Sequence, residues 1–155
     1  MADLRPADDN SIPADERLYI RIFPAADSVK PVEGGGQRPV TGSIKGRDRN
    51  EPLSVDLGSL STPEQTRDRD TDGNFHVAML TAEVVRQLGF RIVRDPIVDD
   101  IVPNPAHALI LGSRCNVDGD LEGALTGGEY SRLARNATIV IFTAQQQQPE
   151  PDPDP

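Results

Sequence analysis

Hydrophobic and polar residues alternate along several short stretches of the chain, and this alternation predicts β-strands. The clearest stretch is 17–23 (RLYIRIF), where apolar residues at every second position precede Pro24. Further extended segments are predicted at 40–45, 53–57, 90–94, 106–112 and 138–142. The segments 106–112 (AHALILG) and 138–142 (TIVIF) are almost wholly apolar, which is typical of buried strands.

Helical spacing and capping residues predict three helices. A short one begins at 61–64 (STPE), which supplies a capping hydroxyl, a proline for the first turn and an acid near the positive helix end. The longest begins near Phe75, and Gly89 follows it as a C-cap. Its apolar residues recur at helical spacing: Val77, Leu80, Val84, Val85 and Leu88. A third helix is predicted over roughly 129–134, whereas 29–38, with three consecutive glycines, is predicted to be a loop.

The two ends of the chain differ in composition from the middle. Residues 1–15 and 144–155 together carry seven acidic side chains and one basic side chain, and they lack hydrophobic periodicity. Because neither end has enough apolar surface to offset the entropy lost on ordering, both are predicted to be disordered. Residues 16–143 are predicted to form a single α+β domain, with two or three helices packed on a mostly antiparallel or mixed sheet.

Composition and charge narrow the classes of partner. The chain has 155 residues, and its net charge of −9 disfavours nucleic acids and anionic membranes as partners. The segment 16–143 holds 18 acidic and 15 basic side chains, so the predicted domain itself is close to neutral. Cys115 is the single cysteine, and the first residues lack the apolar stretch of a signal peptide, so we expect a cytoplasmic protein. Its basic residues are mostly arginine, which is typical of GC-rich bacterial genes.

One acidic segment imitates the first half of a calcium-binding loop. Asp68, Asp70 and Asp72 occupy alternate positions before Gly73, like the first three ligands and the turn glycine of an EF-hand. The bidentate glutamate expected at the twelfth position is absent, since Met79 stands there. Aspartate is also a common turn former, so an ordinary turn explains the same residues. Calcium therefore remains one candidate ligand of this segment.

Established catalytic and cofactor motifs are missing from the sequence. There is no G-x-S-x-G nucleophile motif and no phosphate-binding loop. The two histidines, His76 and His107, have no histidine or cysteine at the spacing of a zinc site. No cofactor is predicted from the residues themselves.

The order of short motifs supports two resemblances. RLYIRIFP, TGSIKG, EPLSVDL, a segment ending in QLG, and NPAHALILG together resemble a group of small bacterial proteins with no assigned activity. Arg21 in the first strand and Ser43 in a second segment are similar to the pattern of RES-type and other ADP-ribosyltransferase-like toxins. That second resemblance implies an NAD-consuming activity that uses Arg21 and Ser43, with His107 as a further candidate.

Three hypotheses about function follow. The favoured one is a non-catalytic module or accessory protein that binds another protein, because the sequence lacks a catalytic constellation and a small α+β core can present sheet edges or loops. The first alternative is an NAD-consuming ADP-ribosyltransferase-like or RES-like enzyme that uses Arg21, Ser43 and His107. The second alternative is a calcium-binding module that uses the loop at Asp68, Asp70 and Asp72.

Overall fold

Eight strands, three α-helices and one turn of 3-10 helix form the described part of the chain, residues 2–25, 27–69 and 74–142, in a computed structural model. The strands are β1 (Arg17–Ile22), β2 (Val29–Pro31), β3 (Gln37–Pro39), β4 (Leu53–Leu57), β5 (His76–Thr81), β6 (Arg91–Arg94), β7 (His107–Leu111) and β8 (Thr138–Ile141). The helices are α1 (Pro63–Asp68), α2 (Ala82–Gln87) and α3 (Gly127–Asn136), and the 3-10 turn is Thr41–Ser43. In the part of the chain that the structure describes, no helix has the length and apolar character needed to cross a bilayer.

Six of the strands form one antiparallel sheet in the order β6-β7-β4-β1-β5-β8, and β2 pairs with β3 in a separate hairpin. β1 is central, since Leu18 lies opposite Leu57 of β4 and Leu80 of β5. The chain is a single α+β domain, which confirms the fold class predicted from the sequence. The strands predicted at 17–23, 53–57, 90–94, 106–112 and 138–142 are found as β1, β4, β6, β7 and β8.

One face of the sheet carries the hydrophobic core. Side chains of a strand point alternately to the two faces, and Leu18 and Ile20 of β1 point to the face that α2 and α3 cover. The same cluster contains Leu53, Val55, Leu57, Val85, Ile92, Ala108, Ile110, Tyr130, Leu133 and Ala134. Each large apolar side chain removed from water here contributes about 1.5–3 kcal/mol before entropy costs. Tyr19 and Arg21 alternate with the core residues of β1 and therefore point to the opposite face, where α1 lies.

The segment predicted as one long helix from Phe75 is instead a strand followed by a short helix. β5 pairs with β1 and β8, and α2 begins only after Thr81, whose side chain caps the helix by accepting from the Val84 backbone N–H at 3.3 Å. A strand with both faces buried is apolar at almost every position, so its residues also match helical spacing. The predicted end of the helix is correct, because Gly89 follows α2 with a φ of +96°.

Two other segments near the sheet differ from the prediction. The expected loop at 29–38 is the β2–β3 hairpin, whose turn places Gly34, Gly35 and Gly36 at positive φ. The expected extended piece at 40–45 contains the 3-10 turn Thr41–Ser43. In both cases tertiary contacts decide the conformation, because the hairpin and the turn pack against β8 and α3.

The segment 1–15 was predicted to be disordered, and the structure contradicts this for residues 2–15, which pack along strand β6. Asp3 lies 2.7 Å from the Arg91 guanidinium and Asp8 lies 3.1 Å from Arg86, while Ile12 is only 1% exposed. A hydrogen bond from Arg5 lowers the pKa of the Asp3 carboxyl well below its usual range. Apart from Arg5, the partners of the segment's acidic side chains are distant arginines that the local sequence does not reveal. The prediction for 144–155 lies outside the described residues.

The short helices are fixed by their N-terminal caps. Thr62 and Gln65 form a capping box at α1, as the motif at 61–64 predicted in part, and Thr126 and Glu129 form one at α3. Glu129 also accepts hydrogen bonds from the backbone and side chain of Ser113, so the same carboxylate docks α3 against the end of β7. Capping thus holds helices that are too short to be stable alone.

His76 should make the stability of the protein depend on pH. Its side chain is fully buried, and burial lowers its pKa below 6.5 in the folded state. Below pH 6.5 the unfolded chain therefore binds more protons than the folded protein. The contribution of His76 to the free energy of unfolding is fully present above pH 6.5, and it is lost as the pH falls from 6.5 towards the lower pKa of the folded state. We expect His76→Gln to flatten this dependence, by up to about 1.4 kcal/mol per pH unit, in urea unfolding experiments at neutral and mildly acidic pH. Equal slopes for the wild type and the variant would exclude His76 as the cause.

Candidate functional site

A cleft of about 520 Å³ lies on the face of the sheet opposite the core. Helix α1 borders it on one side, and the connection between β6 and β7, residues 95–106, borders it on the other. Its volume lies within the range of pockets that accept a small molecule or a few side chains of a partner. The cleft is therefore the candidate functional site.

Three polar side chains cross the floor of the cleft in one row. Asp56 of β4 lies in register with Tyr19 of β1 on one side and with His107 of β7 on the other. Arg21 and Ser54, two residues along their strands from Tyr19 and Asp56, extend the same surface. Pairing of three strands thus brings together residues that are up to 88 positions apart in the chain.

The carboxylate of Asp56 is buried and fully engaged. Its Oδ2 accepts from Arg69 Nε at 2.6 Å and from Thr66 Oγ1 at 2.8 Å, and its Oδ1 accepts from Asn104 Nδ2 at 2.9 Å. Ser61 extends the network, because its Oγ lies 3.0 Å from Thr66 Oγ1 and accepts from Arg69 at 3.1 Å. One carboxylate therefore joins β4 to both walls of the cleft.

The connection 95–106 carries an unusual exposed apolar segment. Ile97 and Asn104 bond to each other through both backbone groups, at 3.0 and 2.9 Å, and so close the base of the loop. Between them, Val98 is 69% exposed, Ile101 is 98% exposed and Val102 is 75% exposed. Ile101 and Val102 also line the cleft, so the apolar segment and the polar floor belong to one surface.

His107 is held in a defined orientation at the edge of the floor. Its Nδ1 lies 2.9 Å from the Asp95 carbonyl oxygen and 3.2 Å from the Asp95 carboxylate. Because a carbonyl oxygen can only accept, the hydrogen of a neutral His107 ring stands on Nδ1, and Nε2 is left for a ligand.

Two cations approach a single aromatic ring beside the floor. The Arg21 guanidinium carbon lies 5.8 Å from the centre of the buried Phe75 ring, and Lys45 Nζ lies 5.6 Å from it. Both are within the range of a cation–π interaction. Arg21 and Lys45 also line the cleft, so the ring holds positive charge at this end of it.

Of the three residues predicted for the NAD-consuming enzyme, the structure brings two together. Arg21 and His107 line the cleft, whereas Ser43 does not. Ser43 is buried, and its hydroxyl is within hydrogen-bond distance of the Ser28 and Val40 carbonyl oxygens, at 3.0 and 2.6 Å. Its hydroxyl thus stabilises the turn at Thr41–Ser43 and is not presented to the cleft.

Of the three residues predicted to bind calcium, only Asp68 is described. Both of its carboxylate oxygens accept from the neighbouring Arg67, at 2.9 and 3.3 Å, and this lowers the pKa of Asp68. Asp70 and Asp72 lie outside the described residues. Among the residues that are described, no group of three or more acidic, histidine or cysteine side chains is placed to hold a metal ion.

Sequence reasoning missed the central residues of the cleft: Tyr19, Asp56, Arg69 and Asn104. A signal for some of them is present, because Ser54 and Asp56 alternate with apolar residues in β4 and must face away from the core. Arg69 and Asn104 carried no such signal, since Arg69 caps the end of α1 and Asn104 lies in the connection 95–106. Only the fold shows that both reach the same carboxylate.

Comparisons with known proteins find no relative of this chain. No protein-family model, curated protein or solved structure matches this chain.

Replacement of Asp56 should be costly for folding. We expect Asp56→Ala to lower the free energy of unfolding by about 3 kcal/mol, because Arg69, Thr66 and Asn104 would lose their shared acceptor. Ser54→Ala is the matched control on the same strand and face, and its exposed side chain should matter by less than about 0.5 kcal/mol. Urea unfolding measures both. Similar losses for the two variants would contradict the central role of Asp56.

Proposed function

We propose that this protein is a non-catalytic binding module that engages another protein through the connection 95–106 at the mouth of the cleft. The observation that carries the proposal is the exposure of Val98, Ile101 and Val102 within one short segment, at 69%, 98% and 75%. Clustered exposed apolar side chains beside a cavity are typical of protein-interaction sites.

The shape of the connection supports this proposal. Its base is closed by the backbone bonds between Ile97 and Asn104, and Asn104 is bonded in turn to Asp56. The Asp95 backbone N–H also donates to the His107 carbonyl at 2.9 Å. A segment whose two ends are held in this way loses less conformational entropy when a partner binds.

Burial of the apolar segment would supply part of the free energy of binding to a partner. Complete burial of Ile101 and Val102 would contribute about 1.5–3 kcal/mol each, before the cost of association. Contributions of this size correspond to the few residues that dominate typical protein interfaces.

A capture experiment with quantitative mass spectrometry tests the proposed interface. The tagged full-length protein should retain a stoichiometric partner from a lysate of the source cell. The double variant Ile101→Ser, Val102→Ser should retain at least about tenfold less of it, because the buried apolar surface is lost. The affinity of the purified partner for both proteins is then measured by calorimetry.

Val117→Ser is the matched control for this experiment. Val117 is also completely exposed, but it lies in the loop after β7 and does not line the cleft. Equal retention of the partner by the control and the wild type, with loss only in the double variant, supports the proposal. Equal retention by all three proteins would place the interface elsewhere.

An NAD-consuming enzyme is the second candidate, and the joint presence of Arg21 and His107 in one cleft favours it. Arg21 offers charge-assisted hydrogen bonds to a pyrophosphate, and Nε2 of His107 offers a proton acceptor. Ser43 takes no part in this version of the hypothesis, because its hydroxyl is bonded to backbone carbonyls.

Release of free nicotinamide from NAD tests the enzymatic candidate. If it is correct, the wild type turns over, and Arg21→Ala and His107→Ala each lower the rate by at least about a hundredfold. Ser43→Ala, assayed per folded molecule, should keep the wild-type rate. Absence of turnover by the wild type removes this candidate and leaves the binding module.

A further inference from the structure

The polar groups on the cleft floor that remain available are mostly hydrogen-bond donors. The guanidinium of Arg21 accounts for several of them, and the hydroxyls of Tyr19 and Ser54 supply others. None of these three side chains makes a hydrogen bond to another described residue. Because a guanidinium can only donate, a ligand that bonds to Arg21 must supply acceptors.

The side-chain oxygens of Asp56 and Asn104, in contrast, are already occupied. Both oxygens of Asp56 are bonded to Arg69, Thr66 and Asn104, and the close Arg69 guanidinium balances its charge. The side-chain oxygen of Asn104 accepts from the Ala106 backbone N–H at 3.1 Å. The buried carboxylate at the centre of the floor is thus not an obstacle to a second anion.

Tyr19 is the most informative of the available donors. Its side chain lines the cleft, and the residue is only 5% exposed. The Tyr19 hydroxyl makes no hydrogen bond within the described ranges and is not one of the buried polar atoms there, so it opens into the cleft and can bond to a ligand. Tyr19 and Arg21 are two residues apart on β1 and point to the same face, so one ligand can contact both side chains.

Two further acidic residues lie near the floor: Asp100 lines the cleft, and Asp95 contacts His107. Asp100 stands exposed at the rim, where its Oδ1 accepts from the Ile101 backbone N–H at 2.9 Å. Asp95 lies behind His107, 3.2 Å from its Nδ1. Solvent screens the first, and the imidazole lies between the second and the floor. The positive end of the cleft is at Arg21 and Lys45, over Phe75.

We propose that the floor of the cleft binds the anionic group of a small molecule, a carboxylate or a phosphoryl group, on the Arg21 guanidinium with the Tyr19 hydroxyl as a second donor. Arginine presents paired N–H donors that match the oxygens of either group. Nε2 of His107 accepts from a hydroxyl on the same molecule. This site is independent of protein binding by the connection 95–106 and requires no partner.

The test is a titration of the full-length, ¹⁵N-labelled protein followed by NMR. Sodium phosphate and sodium malonate serve as separate probes of phosphoryl and carboxylate groups, each at constant ionic strength adjusted with sodium chloride. We expect at least one probe to cause saturable shifts of the amides at Tyr19, Arg21 and Asp56 at concentrations up to about 50 mM. Saturation by only one probe identifies the class of anion.

Matched variants connect the shifts to the site. Arg21→Gln should weaken binding at least about tenfold, and Tyr19→Phe, which keeps the packed ring, should weaken it severalfold. Arg135→Gln makes the same change of charge on α3, beyond the core on the other side of the sheet, and should bind like the wild type. The dispersion of each spectrum reports that the variant is folded.

Three results would overturn the proposal. One is the absence of saturable shifts with either probe, and another is equal weakening by Arg21→Gln and Arg135→Gln, which would indicate general attraction to a positive surface. The third is unchanged binding by folded Arg21→Gln. None of these results depends on whether a protein partner is found, so the two proposals fail separately.

Discussion

The buried carboxylate of Asp56 is the group on which the candidate site depends. A carboxylate removed from water requires partners, and here they come from the end of α1, from Arg69 just after it and from Asn104 in the connection between β6 and β7. These segments have little apolar packing of their own to hold them over the sheet. The network therefore determines where both walls of the cleft stand.

The two faces of the sheet differ: one carries the hydrophobic core, and the other carries the candidate site. Leu18 and Ile20 of β1 point into a core sealed by α2 and α3, whereas Tyr19 and Arg21 from the same strand point into the cleft. Since one strand serves both faces, the core makes the floor rigid without contributing to its chemistry. The polar floor carries the proposed anion site, and the exposed apolar segment at its mouth carries the proposed protein interface.

Much of the fold could be predicted from local patterns. Alternation identified the strand at 17–23, and the capping residues at 61–64 identified the start of α1, because both signals act over a few neighbouring residues. β5 was mistaken for a helix because strand pairing on both sides removes the polar positions that mark an exposed strand face. Residues 2–15 were mistaken for a disordered segment because Arg86 and Arg91, which pair with their acids, lie far away in the sequence.

By itself the sequence determined the α+β class and most strand positions, whereas Arg21 and His107, which line the cleft, were candidates only through a resemblance to ADP-ribosyltransferase-like toxins. It could do so because periodicity, caps and residue chemistry are local properties. Only the tertiary structure decided that Tyr19, Asp56 and His107 form one row and that Ser43 is turned away from it. Strand order and register, which set these neighbours, depend on contacts between distant segments, and no local pattern in the chain specifies them.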